Sequence, residues 1–307
     1  MIKIPKSLSH SLEYMLLLIV QKLLTLLPRN AALWLGGNVG ALLYHLGVYR
    51  IIVKKNMEHV ALWEDIVETK RITLSLYRNM GRYAVEFLRP AHPVPPCNIH
   101  GFEEIEPLLN SGKGTIVILG HLGNWEMLST VFGKRTGKLH VIAKPMNNSI
   151  VEKWLLAKRN ASSVTTIYTS QALRKMLEVI RKDGIIAILI DQFALNHGTP
   201  APFLGKEAKT VRTVAGLARK TGCSVISTTS IFRPDNGYDI NISIVPPPDT
   251  SSLSEDDAIA LIQKQHNDVL SKQIISYPDH WFGWFHRRFR GYVDYSRHAD
   301  VAGSRLQ

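Results

Sequence analysis

The amino-acid sequence predicts an α/β fold: a mixed, largely parallel sheet flanked by helices, with an N-terminal hydrophobic, membrane-associating helical segment. Three observations predict it. Gly114–Leu119 and Ile185–Ile190 are short β-branched apolar runs, the composition of strands buried on both faces. Capped stretches of helical period alternate with such runs, and strand–helix alternation calls for parallel pairing. The first fifty residues concentrate apolar side chains in Tyr14–Val20, Leu23–Leu27 and Ala31–Leu46.

Lys3 and Lys6 precede the first apolar run, and Lys22 interrupts it before Pro28 and Arg29. A membrane span needs about 20 mostly apolar residues, so this stretch reaches that length only if Lys22 snorkels or faces protein. No small-residue cleavage pattern follows, which argues against a signal peptide. With Trp34, Tyr44 and His45 in the second segment, residues 1–50 are expected to form a monotopic hairpin or an amphipathic platform. The alternative reading is two hydrophobic helices covering the sheet.

Further along, 66–90 reads as a helix, and Asn124 is an N-cap for a helix opening at Trp125. Ser149 begins a helix ending at Lys158-Arg159-Asn160, and Ser170 caps one through Lys182 with Gly184 at its C-cap. Val211–Lys220 reads as a helix closed by Gly222. Ser224–Phe232 and Asp239–Val245 read as strands around an Asp235-Asn236-Gly237 turn. Ser254 and Asp257 resemble a capping box for a helix reaching about Ile275. The expected organisation is a membrane-associating region over 1–50, a single catalytic domain over 51–295 and a disordered tail over 296–307.

With 307 residues, 45% of them hydrophobic, the chain can bury a full core, which excludes a disordered protein. Lys and Arg number 37 against 25 Asp and Glu, a net charge of +12 that implies an acidic partner. Anionic lipid, a phosphorylated glycolipid, an acidic carrier protein and nucleic acid all qualify by charge. Nucleic acid is disfavoured because no binding module is recognisable and the apolar residues gather at the N-terminus. Cys97 and Cys223 stand alone, without the spacing of a zinc site or a disulfide framework, and fit a reducing compartment. No metal or cofactor is expected.

The chemistry points to Gly120-His121-Leu122-Gly123-Asn124-Trp125-Glu126, at the mouth of the first buried strand. A spacing of five on a continuous helix turns two side chains roughly 140° apart, so His121 and Glu126 act together only if the chain bends between them. Gly123 permits such a bend, and Glu126 then lies in the first turn of the following helix. A carboxylate on one imidazole nitrogen fixes the tautomer and leaves the other free to take a proton from an alcohol. The alternative is a buried strand-end histidine and a glutamate that merely favours a helix N-terminus. Neither cysteine lies in a nucleophile motif and there is no G-x-S-x-G elbow, so no covalent intermediate is implied.

This H-x-x-x-x-E motif resembles the H-x-x-x-x-D/E signature of the lysophospholipid and lipid A acyltransferases, with Glu as in the lipid A late acyltransferases. Pro145 with Asn147-Asn148, Asp191-Gln192 at a strand end, and the Trp281–Phe289 segment, similar to W-x-H-R-R-F, extend the likeness over residues 10–290. The resemblance implies transfer of a fatty acyl chain from acyl carrier protein to a hydroxyl of a lipid A precursor, on a 3-hydroxyacyl chain already in place. It implies His121 as base and Glu126 as its partner. Arg159, Asp191, Gln192, Asn124 and Lys144 are then substrate-binding candidates.

Arg159 alternatively satisfies a helix C-terminus, and Asp191 alternatively caps a loop. Lys144, Lys206, Lys209 and Arg212 are either solvated charge or steer phosphates and an acidic carrier. His286, Arg287 and Arg288, among aromatics, are an interfacial belt or ordinary packing. By the same resemblance the enzyme belongs at the anionic inner membrane of a bacterium, catalytic domain towards the cytoplasm. A lysophospholipid or phosphoinositide mannoside acyltransferase shares the dyad, and a non-enzymatic basic membrane or nucleic-acid binding protein explains the charge without it.

Overall fold

The computed structural model describes residues 6–63, 65–90, 94–194 and 198–296. Lys3, and 297–307 of the expected tail, lie outside the described residues. A seven-stranded sheet runs through the centre, formed by β1 (Cys97–His100), β2 (Thr115–Leu119), β3 (Leu139–Ala143), β4 (Val164–Tyr168), β5 (Ile185–Leu189), β8 (Ser224–Phe232) and β9 (Tyr238–Ile244). Its order is β1-β9-β8-β2-β5-β3-β4, and only β8 and β9 pair antiparallel. Their hairpin closes at Arg233–Gly237, with Asn236 in the left-handed region, as the Asp-Asn-Gly turn predicts. The sheet is therefore mixed and largely parallel, as expected.

Strand β2 sits centrally and all five of its residues are buried. Ile116 and Ile118 pack into the core on one face, with Ile186 and Ile188 of β5, while Val117 and Leu119 pack on the other with Ile185. A continuous apolar run is what a strand covered on both faces requires. One face is covered by α4 (Ile66–Leu88), α8 (Ala172–Arg181) and the buried Trp281, Trp284 and Phe289. Helices α5 (Phe102–Leu109) and α6 (Trp125–Thr136) contribute Phe102, Ile105 and Phe132 to the other.

Several elements differ from the sequence reading. The stretch from Val211 is not helical at its start: β6 (Gly198–Phe203) and β7 (Lys206–Val211) form a separate hairpin, and α9 begins at Thr213. Leu204 and Gly205 turn that hairpin with positive φ, and it docks on α10 (Glu255–Ser276) through Thr199–Gln263 and Asn267–Pro202 hydrogen bonds. Ser170 lies in a 3-10 turn, Thr169–Gln171, and does not cap α8. Strands β1, β3 and β4 escaped the sequence reading because they are short and carry polar residues, as in the alternating Cys97-Asn98-Ile99-His100.

At the N-terminus, α1 (Lys6–Leu26) and α2 (Arg29–His45) expose large apolar side chains: Leu12, Met15, Leu16, Ile19 and Leu23 on the first, Trp34, Val39 and Leu42 on the second. No single helix among the described residues is long and apolar enough to cross a membrane, although α2 and α3 (Arg50–Val60), bent by 83°, pass by length and composition as a pair. The inner face of α2 packs directly on α4 through glycines. A Cβ on Gly40 would lie 2.0 Å from the Tyr77 carbonyl oxygen, and one on Gly81 1.9 Å from that of Gly36.

Gly40→Ala should therefore force the two backbones apart and destabilise the protein by about 1–3 kcal/mol. Gly37→Ala, whose Cβ would meet nothing closer than 3.6 Å, should be neutral or stabilising by about 0.5–1 kcal/mol through helix propensity. Urea unfolding of both variants checks the contrast, and equal effects would remove the close-contact explanation.

Candidate active site

Strands β2 and β5 are parallel neighbours in register, Leu119 opposite Leu189. Two residues beyond each, at the same level of the sheet's C-terminal edge, stand His121 and Asp191. Nδ1 of His121 lies 2.8 Å from Oδ1 of Asp191, and the His121 backbone N–H donates to Oδ2 at 2.8 Å. The Trp281 indole Nε1–H donates to the same Oδ2, also at 2.8 Å. With its protons on Nδ1, His121 presents Nε2 as an acceptor, next to the exposed Gln192 amide at 3.4 Å.

The loop carrying His121 is held from both sides. Gly123 has φ +68°, and a Cβ there would lie 1.9 Å from the Ser230 carbonyl oxygen. Its N–H donates to the His280 carbonyl, the Asn124 N–H donates to Ser230, and the Phe282 N–H donates to the His121 carbonyl at 2.8 Å. Asn124 then caps α6, its Oδ1 accepting from the Met127 N–H at 3.0 Å while its amide donates to the Tyr238 hydroxyl. The bend foreseen at Gly123-Asn124 is present; Asn124 is buried, serves the helix end and also lines a cavity shared with Glu126 and Arg159.

Glu126 does not orient the imidazole. Its carboxylate takes Arg159, with Nη2 at 2.5 Å from Oε1 and Nε at 3.2 Å from Oε2, a two-point pair from α6 to α7 (Ser149–Asn160). The reason is register: α6 starts above β2 and points its first turn at α7, whereas Asp191 leaves the adjacent strand at the height of the ring. The orienting carboxylate is thus Asp191, and Arg159 is held by Glu126.

Glu126 and Arg159 line two cavities. One, with an empty volume of about 530 Å³ including its mouth, is walled by Val117, Leu119, Leu128, Phe132 and Leu139. The other, about 480 Å³, is more polar and includes Glu86 and Lys158. Trp125, edge-on to His121 with ring centroids 4.9 Å apart, stands at the wall of the apolar one.

Electrostatics reinforce the pair. Burial pulls the His121 pKa down, but attraction and hydrogen bonding to Asp191, and the more distant charge of Glu126, outweigh it and raise the pKa above its ordinary value. Asp191 is buried, which pushes its pKa up, yet His121 and its three donors bring it down to about 2. A protonated His121 contributes stability fully present below about pH 6.5 and lost as pH rises through its raised pKa. Asp191 contributes stability present above about pH 3.9 and lost as pH falls towards about 2.

The remaining sequence candidates divide. Lys144 is exposed just beyond β3, and Arg212 is paired with Asp256 at 2.6 Å. Lys206 and Lys209 lie on the β6–β7 hairpin. Trp284, Arg288 and Phe289 are fully buried and belong to the core, whereas His286 is half-buried and Arg287 exposed. Arg288 donates to the Lys209 carbonyl and the Thr210 hydroxyl, its guanidinium 4.5 Å from the Phe203 ring centre. Trp281 carried no local signal of its role, being 90 positions from Asp191.

Asp191→Asn should remove the attraction and leave burial dominant, dropping the His121 pKa below about 6.5. A two-dimensional NMR titration of the ring reads this directly, and an unchanged midpoint would overturn the assignment of Asp191 as its partner.

Comparison with known proteins places this geometry in a family. The chain is 21% identical over 187 residues to a phosphatidylinositol mannoside acyltransferase of Mycobacterium tuberculosis (strain CDC 1551 / Oshkosh), covering 60% of this chain and 57% of that protein. It is 22% identical over 177 residues to the protein of that name from Mycolicibacterium smegmatis, covering 56% of each. The chain thus spans a little over half the length of these curated relatives. Residues 1–291, from the N-terminal helices through the histidine loop to the buried tryptophan segment, match a single family description, and the chain belongs to the bacterial lipid A biosynthesis acyltransferase family.

Proposed function

We propose that the protein is an O-acyltransferase of lipopolysaccharide biosynthesis, moving a fatty acyl chain from an acyl carrier protein thioester to a hydroxyl of a lipid A precursor. The observation that carries this reading is the Asp191–His121 pair, in which Nδ1 faces the carboxylate and Nε2 is left for a substrate, beside an apolar cavity walled by α6 and the sheet. Nε2 takes the acceptor hydroxyl proton as its oxygen attacks the thioester carbonyl carbon, giving a tetrahedral oxyanion and an imidazolium stabilised by Asp191. The carbon–sulfur bond then breaks, the ester remains on the acceptor, and the thiolate recovers the proton from the imidazolium.

The Trp125 and Glu126 N–H groups open α6, where a helix has no internal acceptors, and serve as oxyanion donors. Arg159, held two-point by Glu126, keeps a cation between the apolar and polar cavities for a phosphate or the acyl carbonyl. Since the base must be neutral, turnover rises with pH through the raised His121 pKa.

The acceptor is membrane-borne, and the reading puts the enzyme at the anionic inner leaflet with its catalytic domain in the cytoplasm, where acyl carrier protein is available. Support comes from the exposed leucines of α1 and α2 and the net charge of +12. A second acceptor, a mannosylated phosphoinositide, is favoured by the names of the mycobacterial relatives. Mass spectrometry of lipid A from a host lacking its own late acyltransferase, complemented with this gene, tests the first acceptor. Purified protein offered both acceptors, with acyl carrier protein or coenzyme A thioesters, decides between acceptors and donors.

His121→Ala should lower acyl transfer by about 10²- to 10⁴-fold in folded protein, and Glu126→Ala should lower it by releasing Arg159 from its two-point pair. A near-normal rate in His121→Ala would sink this mechanism, and one in Glu126→Ala would remove the Glu126–Arg159 pair from it. Arg159→Lys should also lose activity despite keeping its charge, because an ammonium cannot make the two-point contact.

The membrane reading is tested without deleting α1, which docks on α4 and α7 through Gln21 to Leu88 and Glu13 to Asn148. Replacing exposed Leu12, Leu16 and Leu23 by Gln should reduce co-sedimentation with anionic vesicles while leaving the thermal midpoint little changed. Undiminished binding would return these helices to an ordinary structural role.

A further inference from the structure

Asp191 is a fully buried carboxylate, and its partners are few. Oδ1 takes the His121 ring and Oδ2 takes two donors, the His121 backbone N–H and the Trp281 indole. The indole is the only one of these that does not belong to His121, so among the described residues it is the hydrogen bond that ties the carboxylate to a separate segment. Its position is tightly determined. Trp281 is 0% exposed and packs edge-on against Trp284, with ring centroids 4.8 Å apart, and against Phe203 at 5.6 Å. A Cβ on Gly283 would lie 2.1 Å from its ring. The same segment grips the histidine loop through its backbone: Leu122 and Trp281 form an antiparallel bridge, flanked by the Gly123–His280 and Phe282–His121 hydrogen bonds.

We propose that Trp281 is a positioning residue, whose indole N–H anchors Asp191 so that the carboxylate holds His121 in the tautomer and orientation that expose Nε2. A carboxylate stripped of that donor concentrates its charge on the ring, binding the imidazolium more tightly, and is free to swing about its own side chain. The charged and titratable groups that bear on the pair are Glu126 from α6, and His286 and Arg288 from the C-terminal segment. None of them touches Oδ2, so none substitutes for the indole.

The kinetic part of this inference rests on the reading of His121 as the base; the spectroscopic part does not. In Trp281→Phe, which keeps an aromatic ring and removes the N–H, NMR titration should place the His121 midpoint at higher pH than in the parent protein. The acid limb of kcat/KM should move with it, with kcat at neutral pH lowered roughly 10-fold or more and KM little altered. Trp284→Phe is the control: it loses an indole hydrogen bond to the Pro278 carbonyl, 2.9 Å long, in the same buried layer, and should leave the His121 midpoint unchanged.

A measurement on the unaltered protein covers the case in which Trp281→Phe fails to fold. The ¹⁵N indole resonance of Trp281 should titrate with the His121 midpoint, because both groups share one carboxylate. An indole signal indifferent to His121 ionisation, or a His121 midpoint unmoved in folded Trp281→Phe, would overturn the proposal. Loss of the acid-limb shift with the NMR shift retained would instead count against His121 as the base, leaving the anchoring role intact.

Discussion

The site depends on the in-register parallel pairing of β2 with β5. Parallel strands send their C-terminal ends to the same edge, and with Leu119 level with Leu189 the next residues emerge side by side. A slip of one residue would turn either His121 or Asp191 to the opposite face. The register is held because both strands are buried on both faces, so every alternate side chain is already committed to one half of the core. The geometry of the His121–Asp191 pair is thus a by-product of hydrophobic packing, completed by the hydrogen bonds between them.

Around that edge, three separate stretches converge on one imidazole. The strand mouth supplies the ring, the neighbouring strand its counter-charge, and the Trp281 segment the clamp. The α6–α7 pair of Glu126 and Arg159 forms a second layer between two cavities of different character. One cavity is walled largely by aliphatic side chains and the other includes Glu86 and Lys158, so the ion pair stands where surfaces of opposite solvation meet.

Much of the arrangement was legible in the chain. The central strands β2, β5, β8 and β9 declare themselves by apolar runs and an Asp-Asn-Gly turn, and α6 by Asn124. What was not legible is pairing at a distance. Glu126 is near His121 in sequence and was joined to it, while its partner Arg159 lies 33 positions away and Asp191 lies 70 from the histidine. Local spacing reports what a bend can bring together; only the strand order decides which carboxylate arrives at the ring. The two alignments on β2 and β5 held the clue, since His121 and Asp191 both close an apolar run. The hairpin β6–β7 was hidden for another reason: its strands contain Pro200, Pro202 and Lys206, and they hold by docking on α10, not by their own propensity.

The glycine contact between α2 and α4 has a mechanical reach. Where backbones touch with no side chains between them, there is no compressible layer in which the helices can slide. The far side of α4 is bolted to the segment before Trp281: Ser75 and Asn79 bind Asp279 at 2.7 and 3.0 Å, and the Tyr83 hydroxyl meets Nδ1 of His280 at 2.5 Å. A continuous run of contacts thus leads from α2 through α4 to the segment that grips the histidine loop. The outer apolar surface of α2 and Nε2 of His121 accordingly share one frame of reference, so a change in the seating of α2 on α4 would be felt at the imidazole.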